Sequence, residues 1–214
     1  MEISWSTIIG FIAGLLLFNS TGTTLLVGSM CLLFFQDQIR ALFITPYIIL
    51  PTSALGVIII LSVIPGALGG WRPIRNKRFL NMLSGIIVLA ILFELVMGLY
   101  LWRQTVTPRK KFFSEWNDWP ATVRSTIQTK GNCCGYTNST DRIIPSKHCS
   151  SNSTSAGCVD FIVLSAKTHY VNVYTTYFVF ILLDLTALLS TSVLIAVRNE
   201  QERYEKGLLK SANK

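Results

Sequence analysis

The sequence is poor in charge and in the groups that carry out catalysis. Charged residues make up 14% of its 214 residues, and its two histidines are His148 and His169. It contains no His-Glu-x2-His, no Gly-x-Ser-x-Gly and no phosphate-binding glycine loop, which are signatures of metalloproteases, serine hydrolases and nucleotide-binding enzymes. We therefore expect that the protein is not an enzyme and carries no cofactor.

Hydrophobic residues make up half of the chain and are concentrated in four long apolar runs: 8–35, 47–68, 79–102 and 174–197. A helix needs about 20 apolar residues to cross the hydrocarbon core of a membrane. The first run lacks the basic flank and the cleavage site of a secretory signal, so we interpret it as a retained span. The sequence thus predicts an all-α membrane protein with four transmembrane helices.

The basic residues predict the orientation of these spans. Segment 69–78 carries four Arg or Lys residues and no acid, the tail 198–214 carries five, and segment 36–46 carries only Arg40. Short basic segments stay on the cytoplasmic side. We therefore expect residues 1–7, 69–78 and 198–214 to be cytoplasmic and 36–46 to form a small extracellular loop. Because this rule accounts for the basic residues, we expect no nucleic acid partner.

The segment between the third and fourth runs, 103–173, is long enough to escape the charge rule. It holds four of the five cysteines, and an even number of cysteines in such a segment indicates disulfides formed in an oxidising compartment. Glycosylation sequons begin at Asn138 and Asn152. We therefore expect a large, disulfide-stapled and glycosylated extracellular loop, with residues 136–157 as a tip that partners contact.

The four loop cysteines are Cys133, Cys134, Cys149 and Cys158. Of the three possible pairings, the one that joins the neighbours Cys133 and Cys134 is strained. The other two both tie the Cys-Cys-Gly corner to Cys149 and Cys158, and Gly135 suits a positive φ at that corner. A zinc site that includes His148 is an alternative. We expect no metal ion, because zinc sites favour Cys-x2-Cys spacing and reduced thiols.

Two acidic residues, Glu94 and Asp184, lie within the apolar runs. At 1.5 Å per helical residue, each lies about 20 Å from the cytoplasmic end of its span, and Asn19 is a polar residue of the first run. An ionisable group in hydrocarbon is costly and raises a functional hypothesis. An ion pathway is one interpretation. We favour a structural role in which a protonated Glu94 donates a hydrogen bond to Asn19, Asp184 or a backbone carbonyl.

The chain resembles a tetraspanin over essentially its whole length. The resemblance lies in the order of four spans and two unequal outer loops, and in these motifs: Gln128-x4-Cys-Cys-Gly, Pro145-x3-Cys149, Gly157-Cys158, Asn76-Lys-Arg and Phe93-Glu94-Leu95. It implies the disulfides Cys133–Cys158 and Cys134–Cys149. It also implies that polar residues within the spans hold the helices together.

The function implied by this resemblance is that of a non-enzymatic scaffold. Such a scaffold associates within the lipid bilayer with other integral membrane proteins, including other tetraspanins, at the plasma membrane or an endosomal membrane. Residues 116–136 and the Gln-Glu-Arg-Tyr of 201–204 are most similar to fungal tetraspanins, which implies a role in polarised or invasive growth. The alternative is a small channel or transporter that uses Glu94 and Asp184.

Two features depart from the family pattern. Gly131 stands where tetraspanins often have a large apolar residue, so we expect the preceding helix to end earlier or to pack less tightly. The cytoplasmic boundaries lack cysteine, and Cys31 lies near the outer end of the first span. Because lipidation needs a thiol at the membrane edge, we expect no dependence on palmitoylation.

Overall fold

The computed structural model describes residues 4–34, 43–71, 76–139, 141–145, 149 and 155–212. These residues form seven α-helices: α1 Trp5–Phe34, α2 Pro46–Leu61, α3 Val63–Trp71, α4 Lys77–Gln104, α5 Pro108–Asp118, α6 Ala121–Gly131 and α7 Val159–Ala212. Within the described ranges there is no strand, only an isolated antiparallel bridge between Asn138 and Ala156. The prediction of an all-helical protein is confirmed for this part of the chain.

Four helical segments are long and apolar enough to cross a membrane: Trp5–Phe34, Pro46–Trp71, Lys77–Gln104 and Val159–Ser211. Each overlaps one of the apolar runs of the sequence. The last helix, α7, has 54 residues and extends beyond the run 174–197 at both ends. At 1.5 Å per residue it is about 80 Å long. This length is more than twice what a hydrocarbon core requires.

Proline explains where several helices begin and end. Pro65 supplies no N–H for the carbonyl of Leu61, and its ring crowds that carbonyl. The second apolar segment is accordingly interrupted at Ser62, between α2 and α3. Pro108 occupies the first position of α5, where a missing N–H costs little, and Pro120 separates α5 from α6.

The chain divides into two compact units, which we name the apolar unit and the loop unit. The apolar unit comprises Met1–Cys31, Ile49–Val96 and Tyr177–Lys214, and the loop unit comprises Leu32–Ile48 and Met97–Thr176. The loop unit thus includes the described residues of the predicted large loop 103–173 and of the predicted small loop 36–46.

The core of the apolar unit is formed by large side chains that are fully buried, among them Phe18, Ile59 and Leu80. Helices α1 and α2 meet at two glycines. A Cβ on Gly56 would lie 2.8 Å from the carbonyl oxygen of Gly22, and a Cβ on Gly22 would lie 2.5 Å from Ile59 Cγ2. Small residues allow such close approach of apolar helices. Glycine is therefore required where these two helices cross.

An aromatic cluster forms the core of the loop unit. The ring of Trp116 is fully buried and lies 5.8 Å from the ring of Trp119 and 5.6 Å from that of Tyr136, between centroids. Phe112 lies 5.9 Å from Trp119 and 5.4 Å from Phe43. The Tyr136 hydroxyl donates to the carbonyl of Arg109 at 2.8 Å. This cluster connects α5 to the chain that follows α6.

Candidate functional site

The Cys-Cys-Gly corner follows the end of α6. Asn132 has a left-handed φ of 46°, and its N–H and that of Cys133 both donate to the carbonyl of Gln128. Two disulfides leave this corner. Cys133 bonds to Cys158 across 25 residues, and Cys134 bonds to Cys149 across 15. This is the pairing that the tetraspanin resemblance implies.

Backbone contacts hold the same corner against the start of α7. The Cys134 N–H donates to the carbonyl of Ala156, and the Cys158 N–H donates to that of Gly135, at 3.0 and 3.1 Å. Gly135 has a φ of 69°, and a Cβ there would collide with the carbonyl of Asn138. Only glycine adopts this conformation without strain. The corner is therefore held by hydrogen bonds and backbone geometry as well as by disulfides.

The expectation for Gly131 is wrong. Helix α6 continues to Gly131, and a Cβ at this position would lie 2.8 Å from both Phe161 Cγ and Cys133 Sγ. The absence of a side chain therefore permits tighter packing of α6 against the first turn of α7. The sequence alone gave no sign of Phe161 as the neighbour that requires this glycine.

Gln128 is a buried residue that holds the loop together. In the sequence it was identified only as part of the Gln128-x4-Cys-Cys-Gly motif. Its side chain is fully buried, and its Oε1 accepts a hydrogen bond from the N–H of Ile144 at 3.2 Å. Its carbonyl accepts the two bonds from the corner described above. Gln128 therefore connects α6 to the corner and to residues 141–145.

Asp141 closes the described part of the tip. Its carboxylate accepts hydrogen bonds from Arg142 at 2.8 Å and from the N–H of Thr137 at 3.3 Å. Partial desolvation raises the pKa of Asp141, but the bonds from Arg142 and Thr137 outweigh it and leave the pKa below its ordinary value. Arg142 also stacks on Phe113, 4.4 Å from its centroid. The Asp141 carboxylate thus ties the backbone at Thr137 to the side chain of Arg142.

The two predicted glycosylation sites differ in what the structure describes. Asn138 is exposed and forms the bridge to Ala156, so its side chain is accessible. Asn152 lies outside the described residues, as do His148, Arg40 and residues 72–75 of the predicted inner loop. Cys31 is an exposed free thiol.

The two carboxyls of the apolar helices lie in the apolar unit, where both Glu94 and Asp184 are fully buried. The Thr21 hydroxyl donates to Asp184 Oδ1 at 3.1 Å and lies 2.7 Å from the carbonyl of Phe18. Thr52 and Tyr177 form a further buried hydrogen bond, 2.6 Å between their hydroxyl oxygens. Hydroxyl groups therefore contribute to the polar contacts between these helices.

Asn19 does not have the predicted role. It donates to the carbonyl of Leu15 within its own helix, at 3.0 Å. Neither carboxyl oxygen of Glu94 has a hydrogen-bond partner among the described residues, so the expected bond from Glu94 is wrong for this part of the chain. The hydrogen bonds of Thr21, Thr52 and Tyr177 were not predicted. Hydroxyl residues within the apolar runs were a sign of such bonds, but which of them face a partner depends on the rotation of each helix.

Comparisons with known proteins leave the family open. No family model matches this chain, and no curated protein matches it. The tetraspanin resemblance therefore rests on the residues and their arrangement. Four apolar helices and a Cys-Cys-Gly corner with two disulfides are the features that support it.

Proposed function

We propose that the protein is a tetraspanin-type scaffold, which crosses the membrane four times and associates laterally with other integral membrane proteins. The observation that carries this proposal is the Cys-Cys-Gly corner, joined by disulfides to Cys149 and Cys158 within the segment that connects the third and fourth apolar helices. A stapled, helical loop between spans suits recognition of a partner. It offers no catalytic constellation among the described residues.

The proposed topology follows the charge distribution. Both termini and residues 69–78 lie in the cytoplasm, and the loop unit lies outside the cell or in the lumen of an endosome, with glycans on Asn138 and Asn152. Oxidising conditions on that side favour the two disulfides. The similarity of residues 116–136 and 201–204 to fungal tetraspanins extends the proposal to polarised or invasive growth.

The apolar helices support lateral association. Leu16, Leu89, Leu182 and Leu189 are 64% to 67% exposed, so α1, α4 and α7 each present large side chains to their surroundings. In a bilayer such side chains contact lipid tails or the spans of other proteins. In this proposal the spans supply the lateral contact surface within the bilayer. The loop unit supplies the polar side chains that distinguish one partner protein from another.

A small channel or transporter is the second candidate. It is favoured by two buried carboxyls in one unit, of which Glu94 Oε1, Glu94 Oε2 and Asp184 Oδ2 have no hydrogen-bond partner among the described residues. Intramembrane carboxyls mark ion and proton pathways in transport proteins. This candidate predicts that the carboxyls are essential for flux.

The double variant Glu94→Gln/Asp184→Asn tests the two candidates against each other, because it keeps side-chain shape and removes the ability to ionise. Wild type and variant are crosslinked in membranes of the native host, purified in mild detergent and compared by quantitative mass spectrometry of copurified integral membrane proteins. A scaffold keeps its partners in the variant. A conductance or proton flux in proteoliposomes that requires both carboxyls would instead establish the channel.

A further inference from the structure

The loop unit contains a cavity of about 330 Å³ that the proposed scaffold role does not use. This volume falls in the range of small-molecule sites. The side chains that matter for its chemistry are four aromatic residues and one pair of opposite charges: Phe43, Tyr100, Trp119, Tyr170, Lys111 and Glu115. All of them belong to the loop unit.

The aromatic walls of this cavity already accept a cation. The Lys111 ammonium lies 5.9 Å from the centroid of Tyr170 and 5.6 Å from that of Phe112. Phe43 stands edge-on to Tyr170, 6.3 Å between centroids, and is almost fully buried. Aromatic faces attract cations through their quadrupole, most strongly where water is excluded. The edge-to-face contact with the buried Phe43 sets the orientation of the Tyr170 ring.

The charged pair in the cavity is open to a ligand. Lys111 Nζ lies 2.9 Å from Gln104 Oε1 but 3.9 Å from Glu115 Oε1, so the ammonium and the carboxylate are at the limit of an ion pair. Desolvation raises the pKa of Glu115, the Lys111 charge opposes this shift, and the Asp118 charge adds to it. The carboxylate is therefore incompletely stabilised, and a second cation beside it is favourable.

We propose that this cavity binds the phosphocholine group, with the quaternary ammonium against Glu115 and the aromatic rings and the phosphate against Lys111. Quaternary ammonium groups are held in proteins by aromatic side chains, and lysine binds phosphate as a point charge. A phosphocholine carries adjacent charges of opposite sign, as does the cavity. The proposal stands apart from the scaffold role and does not require it.

A metal ion fits this cavity less well. Among the described residues no cluster of three His, Cys, Asp or Glu side chains is placed to hold one, and the cavity itself offers one carboxylate. Hard cations such as calcium take six to eight oxygen ligands. Aromatic walls instead favour a cation with apolar methyl groups, because its hydration shell is weak.

The position of the cavity suggests a lipid as the source of the ligand. Its wall includes Ile48 near the start of α2 and Tyr100 near the end of α4. The segment formed by α2 and α3 is long and apolar enough to cross a membrane, and so is α4 by itself. Tyrosine is enriched where spans meet the headgroup region. A phosphatidylcholine headgroup and a soluble phosphocholine ester offer the same chemistry, and the test separates them.

The test uses full-length protein in nanodiscs that contain phosphatidylcholine, phosphatidylethanolamine and phosphatidylglycerol in equal amounts and with identical acyl chains. The protein is released from the nanodiscs, and the lipids that stay bound to it are identified and counted by native mass spectrometry. In a second arm, soluble phosphocholine is titrated and followed by tryptophan fluorescence, since Trp119 lines the cavity. Phosphatidylethanolamine lacks only the three methyl groups of the ammonium, so it isolates the contribution of the aromatic walls.

Two variants and one control locate the binding. Glu115→Gln removes a carboxylate whose side chain is 36% exposed, and Tyr100→Leu removes a ring that is 49% exposed, so neither change removes a fully buried side chain. Asp160→Asn removes an exposed acid of the loop unit that does not line the cavity. Peptide mapping of both disulfides verifies that each variant is folded.

We expect retention of phosphatidylcholine about fivefold above phosphatidylethanolamine, or saturable binding of soluble phosphocholine if the source is soluble. Each of Glu115→Gln and Tyr100→Leu lowers that binding about fivefold, and Asp160→Asn leaves it unchanged. The proposal is overturned by equal retention of the two lipids together with no saturable phosphocholine signal. Binding that survives either Glu115→Gln or Tyr100→Leu unchanged also overturns it.

Discussion

At the scale of single residues, polar side chains fix the parts of the fold that hydrophobic burial leaves undetermined. Gln128 and Asp141 each hold a backbone N–H that lies in irregular structure, those of Ile144 and Thr137. Buried or half-buried groups of this kind are costly when a partner is lost. The shape of the loop therefore depends on a few side chains whose value is not apparent from hydropathy.

Asp141 gives the first prediction, a pH dependence of the loop unit. Its folded-state pKa lies below the ordinary value of 3.8. The stability that it contributes is therefore fully present above about pH 4 and is lost as pH falls through the lower folded pKa. We expect Asp141→Asn to lower stability at pH 7 and to flatten this acid loss.

Thermal unfolding of the purified protein between pH 2.5 and 7 measures this effect. Asp118→Asn, which removes an acid from the end of α5, is the control: a change in the acid profile that both variants share does not come from the Asp141 contacts. An unchanged acid loss in Asp141→Asn would show that other carboxyls determine it.

At the scale of elements, close helix contacts depend on glycine. We predict that Gly56→Ala destabilises the apolar unit by roughly 1–3 kcal/mol, the cost of overpacking a tight contact. Its Cβ would meet the Gly22 carbonyl at 2.8 Å and the Leu26 nitrogen at 2.9 Å, and backbone atoms cannot move aside cheaply. The measurement is thermal stability in detergent.

Gly28→Ala is the control for that prediction, because a Cβ on this α1 glycine meets nothing within 4 Å. Alanine has the higher helix propensity, so this variant should be as stable as wild type or slightly more so. If the two variants have the same stability, the proximity of α1 and α2 at Gly56 is wrong.

The disulfides give a prediction at the same scale. Opening the Cys134–Cys149 loop of 15 residues costs about 3 kcal/mol in the chain-entropy model. We expect Cys134→Ser to impair export and loop recognition while the four apolar helices remain inserted. Cys31→Ser, which removes the exposed free thiol, should behave as wild type. The fraction at the cell surface and protease protection of the spans measure the two effects.

A Cys134→Ser variant that reaches the surface at the wild-type level and binds antibodies to the folded loop would contradict this role. Free thiols at all four loop cysteines in surface-derived wild-type protein would remove the disulfide framework itself.

The sequence predicted helices well where a long run of residues is apolar. It predicted helix ends and contacts less well, because these depend on neighbouring parts of the chain. Apolar runs identified four helical segments, but the run 174–197 covers less than half of α7. Its polar continuation towards the C-terminus carries ion pairs along and beside the helix, as in Glu202 with Lys206 and Lys77, and apolar runs do not reveal such pairs. The surroundings of Glu94 and Gly131 depend on helix rotation and helix contact, which composition does not determine.

At the scale of the whole molecule, the account requires that the loop unit face the outside. We predict that Asn138 and Asn152 carry N-glycans in a eukaryotic host, because Asn138 is exposed and both sequons lie in the proposed outer loop. Removal of N-glycans should increase gel mobility of wild type. It should leave Asn138→Gln/Asn152→Gln unchanged.

Asn19→Gln is the matched control for glycosylation. Asn19-Ser-Thr is also a sequon, but it lies within α1, where its side chain bonds to the Leu15 carbonyl. This variant should migrate as wild type before and after treatment. Wild-type protein without glycans at either loop site would contradict the proposed orientation.

The central claim, recognition of membrane partners through the loop unit, is tested most directly by exchange of the tip. Residues 136–157 are replaced by an unrelated sequence, except for Tyr136, Asp141, Cys149 and Gly157, which hold the corner. A control variant carries Leu208→Gln/Leu209→Gln, two exposed changes near the C-terminal end of α7. Partners are crosslinked, purified and quantified against an unrelated four-span protein.

We expect at least one integral membrane protein to be enriched with wild type and with the Leu208→Gln/Leu209→Gln control, and to fall about tenfold with the exchanged tip. That fall corresponds to roughly 1.4 kcal/mol of recognition energy. If no integral membrane protein is enriched above the unrelated four-span protein, or if the exchanged tip retains every partner at the wild-type level, the claim is contradicted.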